Sequence, residues 1–230
     1  KNPLSLISST SLDFAFDPFP LLLNQISSST SFDIHFVVHG SAGGVIHPII
    51  LRFVEEVRLL RQTKVEVEAL TATHPLKSTS NFVLIIPLLL LPGMHVCHDI
   101  PVIQRRLNNQ GTKTILLPFI GSWSIWIYLL EQFAFINSRS SPTALVHHPI
   151  RNLRGRLYLS FLKKRLQIPI ISWNNWQGFD SASKKQYSSI PLALAPNRNT
   201  KSFCRQDSIS SLLEFEPLRL HLINFFRLLP

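Results

Sequence analysis

"FVLIIPLLLLPGMHVCHDIP", residues 82–101, passes from an unbroken apolar run through a Pro-Gly break into two histidines, a cysteine and an acid. An apolar run of this length, stopped by Pro92-Gly93, reads as a strand covered on both faces, as in a parallel sheet between helices. The flanking segments agree. "FDIHFVVHGSAGG" (32–44) carries a short strand through Ile34, Phe36, Val37 and Val38. His39-Gly40-Ser41 ends it, and Ala42-Gly43-Gly44 makes a turn. "VIHPIILRFVEEVRLLRQ" (45–62) sets Ile46, Ile50, Phe53, Val54, Val57 and Leu60 on one helical face, with Pro48 in the first turn. "KVEVEAL" (64–70) alternates like a half-exposed strand. "DIPVIQRRLNNQG" (99–111) reads as a helix capped by Asp99 and ended by Gly111. "KTILLPFIG" (113–121) is a strand, and "SWSIWIYLLEQFAF" (122–135) a helix with Ser122 as cap. Strands and helices alternate, so the fold class is α/β with parallel sheets. Thr71–Phe82 is barely long enough for a parallel crossover, and its helix is expected to be short or irregular.

The pattern then restarts. After the polar stretch "NSRSSP" (137–142), "TALVHHPIRN" (143–152) repeats a strand ending in histidine, and "LRGRLYLSFLKKRL" (153–166) takes the place of the first helix. "IPLALAPNRN" (190–199) follows "IPLLLLPGMH" (86–95) as Ile-Pro-Leu-x-Leu-x-Pro, and "LRLHLINFF" (218–226) aligns with the strand at 113–121. An internal duplication follows. Three regions are expected: a loose Ser-rich extension over 1–31, a first domain over 32–136 and a second over 142–230.

Composition narrows the function classes. The 230 residues are 45% hydrophobic and 16% charged, which suits folded domains rather than disorder. The net charge of +10 points to an anionic partner: nucleic acid, a membrane surface or a polyacidic small molecule. The longest apolar run falls well short of the roughly 18–20 residues of a spanning helix, so the chain reads as soluble, with no membrane partner. Cys97 and Cys204 are far apart and form no CxxC, as in a reducing compartment. The chain begins at Lys1, as a fragment or processed form would, and 1–31 is too poor in Arg for a transit peptide. No GxSxG, GxxxxGK[ST], HExxH or GxGxxG is present, which removes support for the corresponding hydrolase, phosphate-loop and dinucleotide readings.

His39 and His95 both sit where strands end. In an open parallel sheet, ligands bind outside the carboxyl ends of the strands, so the two can meet although far apart in sequence. Imidazoles are common ligands of divalent first-row metals, and two of them leave positions open for a substrate. Gly40 and Gly93 let a bulky ligand approach the backbone. From spacing alone, a metal pair and two satisfied strand-end polar residues both stand. His98 and Cys97 read as exposed and incidental, His74 as a loop residue, and His35 and His47 as structural or solvated.

Together, "VVHGSAGG" and "IIPLLLLPGMHVCHDIP" resemble the sirohydrochlorin chelatases, the small class II chelatases. Their signature is a strand-end His-Gly-Ser followed by a Pro-Leu-Phe-Leu-x-x-Gly-x-His-x-x-x-Asp-Ile-Pro segment. The likeness is strong over 33–123 and continues weakly to 230. It implies two tandem chelatase-like (flavodoxin-like) domains, the second degenerate. It implies insertion of Co²⁺ or Fe²⁺, the metal being a substrate, into sirohydrochlorin on the way to sirohaem or a cobalt corrinoid, without an organic cofactor. His39 and His95 would hold the metal and help remove pyrrole protons. Gly40, Ser41, Gly93, Arg105 and Arg106, with Lys113, would meet the polyacidic tetrapyrrole, and Glu68 would be an acid or base. A cytoplasmic or plastid-stromal location is expected.

The sequence departs from the family in the Ala-Gly-Gly after His-Gly-Ser. In the second half, Asn199 stands where His95 would, and His147-His148-Pro149 where His-Gly-Ser would. That half is expected to have lost its metal site while walling the cleft. A non-catalytic metal- or tetrapyrrole-binding relative is the second reading. A basic nucleic-acid-binding protein, through "SFLKKRLQIPIISWNNWQ" (160–177), is the third.

Overall fold

The structure, a computed structural model, describes residues 14–23, 32–74, 76, 80–139, 141–179, 184, 186–197, 200 and 210–230. The first sheet holds β1 (Asp33–Val38), β2 (Val65–Ala69), β3 (Phe82–Pro87) and β4 (Lys113–Leu116), all parallel, in the order β2-β1-β3-β4. Val37 stands beside Pro87, and the Leu88 N–H donates to the Val37 carbonyl at 2.8 Å. Pro87 has no N–H to carry the ladder further toward β4, whose last pair is Leu116 with Ile85. The strand therefore stops short of the end of its apolar run, while Leu88 and Leu90 stay buried beyond it.

Both faces of this sheet are covered, which is why β1 and β3 read as continuous apolar runs. Ile34, Phe36, Leu84 and Ile86 share a core with α2 (Pro48–Leu60), which contributes Ile50, Phe53, Val54 and Val57. Val37, Val83 and Ile85 pack against Ile100, Ile103 and Leu107 of α4 (Asp99–Asn109), which follows the short α3 (Met94–Cys97). Among the described residues between β2 and β3 there is no helix. Two expected caps take other partners. Asp99 is itself the first residue of α4 and turns its carboxylate to His95. Ser122 donates to the Phe119 carbonyl in a tight turn, and α5 (Ser124–Ser138) starts two residues later. His47 caps α2 by accepting the Ile49 N–H.

The second sheet holds β5 (Thr143–His147), β6 (Ile170–Ser172) and β7 (Ser188–Pro191), parallel, in the order β6-β5-β7. It repeats the register of the first. Val146 stands beside Pro191, and the Leu192 N–H donates to the Val146 carbonyl at 2.7 Å. Helices α6 (Leu153–Leu166) and α7 (Trp173–Gly178) flank it. The strand expected at 218–226 is a helix, α8 (Glu216–Leu228). Its buried residues Leu218, Leu222, Ile223 and Phe226 follow the helical period, not the strand period. It returns to the first half. Phe226 meets Phe36 and Phe53 at ring distances of 5.0 and 5.9 Å, and Arg219 pairs with Glu56 at 2.8 Å.

One buried cluster runs through both halves. Part of the expected loose extension belongs to it. Phe14 and Leu22 are buried, the latter on α1 (Pro18–Leu23), and Phe16 exchanges backbone hydrogen bonds with Ser122 and Ser124. The rest of 1–31 lies outside the described residues, as do Asn199 and Cys204. No helix among the described residues is long and apolar enough to cross a membrane.

Gly121 joins the halves. Its N–H donates to the Leu89 carbonyl at 3.0 Å, its carbonyl accepts from the buried Tyr158 hydroxyl on α6, and a Cβ there would lie 2.2 Å from the Leu90 oxygen. Replacing Gly121 by Ala should therefore lower stability by about 2 kcal/mol, read as a lower urea midpoint at unchanged slope. Tyr158→Phe, which strips only the hydroxyl, should cost about 1–2 kcal/mol.

Candidate functional site

His39 is the first residue beyond β1, and His95 lies on α3, reached from β3 through Pro92-Gly93. β2 pairs on one side of β1 and β3 on the other, so the two histidines stand at the point where the strand order reverses. The turn after His39 needs glycine. Gly40 has φ +74°, and a Cβ would meet Ala69 Cβ at 2.6 Å and Thr71 Oγ1 at 2.7 Å.

The hydrogen bonds define both rings. His39 Nδ1 lies 2.7 Å from the Gly40 carbonyl oxygen, and His95 Nδ1 lies 2.5 Å from Asp99 Oδ2. Carbonyl and carboxylate oxygens only accept, so each Nδ1 donates and each neutral ring keeps its lone pair on Nε2. The two Nε2 atoms face each other at 3.1 Å, with the rings crossed at 81°. Two lone pairs at that distance repel unless a proton or a cation lies between them. A metal bonded to both at about 2.1 Å and subtending a right angle would hold the nitrogens about 3 Å apart. Outer partners such as Gly40 O and Asp99 fix the orientation of ligating imidazoles. Among the described residues no group of three or more His, Cys, Asp or Glu gathers to hold a metal, so the donor set here is these two nitrogens.

The pair opens on a cavity of about 730 Å³ between the halves. Val38, Ile46, Leu88 and Leu90 wall it from the first half, and Ile150, Leu192 and Leu194 from the second. Gly40, Ser41 and Gly93 line it, and His47 and His148 line it too. The lining among the described residues includes no Lys or Arg.

Four expected site residues sit elsewhere. Glu68 pairs with Val37 in the β1–β2 ladder and lies on the face of the sheet under α4. There Arg106 grips it with two hydrogen bonds of 2.7 and 2.6 Å, and His35 Nε2 lies 2.9 Å from Oε2. Glu68 is 5% exposed and does not line the cavity, so it is an internal counter-ion and not an acid or base in the cleft. Arg106 is committed to it. Arg105 is exposed on α4 and also outside the lining. Lys113 starts β4, at the amino end of the sheet, and stacks over Phe82 at 5.1 Å. Cys97, His98 and His74 are exposed and line no part of the cavity. Asp99, expected to be a helix cap, is instead the side-chain partner of His95. The signal was its spacing of four from His95, which one helical face accommodates.

The fold is that of known chelatases. SirB, the sirohydrochlorin chelatase of Bacillus subtilis subspecies spizizenii in complex with cobalt, matches with a TM-score of 0.60 at 16% identity, over 86% of this chain and 94% of that one. SirB from Bacillus subtilis with Fe³⁺ matches at 0.57 and 15% identity, over 86% and 93%. CbiX, described as the terminal enzyme of sirohaem biosynthesis in denitrifying bacteria, matches at 0.52 and 16% identity, over 84% and 88%. At these identities the likeness establishes the α/β fold. No family model matches the chain, and no curated protein matches it by sequence.

Two outcomes follow from the site. Asp99→Asn should weaken Co²⁺ binding about tenfold, measured by titration calorimetry, because His95 loses its charged partner. Glu68 has a lowered pKa: burial pushes it up, but the hydrogen bonds and charges of His35 and Arg106 outweigh burial and hold it below its ordinary 4.5. Its contribution to stability is therefore present above pH 4.5 and lost as pH falls through the lower folded value. Glu68→Gln should unfold at lower urea at neutral pH and show a flatter loss of stability on acidification.

Proposed function

We propose that the chain is a metal chelatase that inserts Co²⁺ or Fe²⁺ into sirohydrochlorin. The observation that carries this reading is the 3.1 Å approach of two Nε2 lone pairs at the mouth of a largely apolar cavity. The fold shared with sirohydrochlorin chelatases supports it.

The chemistry fits a weak, open donor set. His39 and His95 take the cation through Nε2, and the remaining positions stay free for incoming pyrrole nitrogens. Four ring nitrogens then replace two imidazoles, so the cation passes to the macrocycle. The balance is one divalent cation plus the free-base tetrapyrrole, giving the metallated ring and two protons. The apolar walls suit the faces of a macrocycle, while its carboxylates extend from the ring edge. The net charge of +10 attracts such a polyanion, and exposed Arg151 follows the lining residue Ile150 at the rim. Imidazole ligands accept both metals, and supply decides between them.

A second reading, a relative that binds metal or tetrapyrrole without turnover, is favoured by the absence of Lys and Arg from the described lining. One assay separates the two. Purified protein is mixed with sirohydrochlorin and Co²⁺ or Fe²⁺, and the absorption change is followed. Metallation should exceed the uncatalysed rate, and His39→Ala or His95→Ala should each lower it about a hundredfold. A rate equal to that in buffer overturns the chelatase reading. Tight binding with slow metallation that neither substitution affects supports the second.

A further inference from the structure

We infer that His148, in the second half, is the base that takes the proton from the tetrapyrrole during metallation, an inference that rests on the chelatase reading above. The register places it. Val37 stands beside Pro87 in the first sheet and Val146 beside Pro191 in the second, so counting two residues on makes His148 the counterpart of His39. The side chains match as well. His39 Nδ1 bonds to the carbonyl of the next residue, Gly40, at 2.7 Å, and His148 Nδ1 to that of the next residue, Pro149, at 3.1 Å. The second half, whose sequence carries Asn199 at the position matching His95, has at His148 the counterpart of His39, in the same ring setting and lining the same cavity.

The need for a further base follows from the metal pair. While His39 and His95 hold a cation, both their Nε2 lone pairs are engaged. Yet each pyrrole N–H must lose its proton as its nitrogen binds the metal. Among the described lining residues the remaining imidazoles are His47 and His148. His47 accepts the Ile49 N–H at Nδ1, so its neutral ring carries hydrogen on Nε2 and offers no lone pair there. His148 donates from Nδ1 to a carbonyl, so its Nε2 bears the lone pair. His147 is buried, its Nδ1 bonds the His148 carbonyl, and it lies outside the main cavity lining.

The step balances without an oxidant or reductant. A pyrrole N–H bond breaks, its electron pair forms the N–metal bond, and the proton passes to His148 Nε2. The imidazolium returns the proton to water, and the second pyrrole proton leaves by the same route.

His148 is exposed, so its replacement leaves the core intact. The test measures Co²⁺ insertion into sirohydrochlorin by wild type, His148→Ala, His148→Gln and, as a control remote from the cleft, His221→Ala. Gln keeps a polar side chain but no base. Both His148 variants should lose at least about tenfold in kcat, with KM for sirohydrochlorin and Co²⁺ affinity within about twofold of wild type, and His221→Ala should match wild type. Wild-type kcat in either His148 variant, or a loss confined to KM, overturns the assignment while leaving the chelatase reading intact. A wild-type rate no faster than buffer overturns both.

Discussion

The hydrogen bond from the Leu88 N–H to the Val37 carbonyl fixes everything that follows in the first half. It is the last rung between β1 and β3, and it brings both chains out of the sheet at one level. Pro87, beside it, lacks the N–H that would hold β4 alongside any longer. The sheet therefore frays on one side only, and the space at its carboxyl edge becomes the floor of the cleft. A slip of one residue in this register would turn every side chain to the opposite face. His39 would then no longer meet His95.

Facing decides chemical fate in this molecule. Glu68, His35 and Arg106 are residue types often met in active sites, yet they point beneath α4 and satisfy one another. Such a buried trio is costly to break and contributes modest net stability when intact. His39 and His95 point past the strand ends, where each ring has one nitrogen satisfied and one without a protein donor. Their poise comes from Gly40 and Asp99, which commit the far side of each ring.

The local patterns were readable because they depend on neighbours in sequence. The apolar runs at 34–38 and 82–87, the stripe of α2 and the strand-end histidines were all visible before any tertiary contact was known. A carboxylate ahead of a helix reads as a cap, whereas the bond of Asp99 to His95 depends on the short turn of α3 that carries His95. Glu68 reads as near the cleft because one residue of strand register separates cleft from interior. The strand read at 218–226 came from aligning the repeat, although Leu218, Leu222, Ile223 and Phe226 kept the helical period throughout. The triplet His147-His148-Pro149 departs from His-Gly-Ser letter by letter, whereas the ladder places His148 at the position of His39. The packing of Phe14 and Leu22 had no local signal at all, since only contact with Tyr158 and the shared core buries such residues.

Helix α8 is translated after both sheets, yet it lies on the first, with Phe226 against Phe36 and Phe53. Until it arrives from the ribosome, part of the apolar cover over β1 and α2 is missing. The two halves therefore cannot mature one after the other, as beads on a string would. Folding has to wait for a contact that spans most of the chain, and loop closure over such a distance is slow. Two sheets of like register share one core, and the returning helix makes them a single cooperative unit.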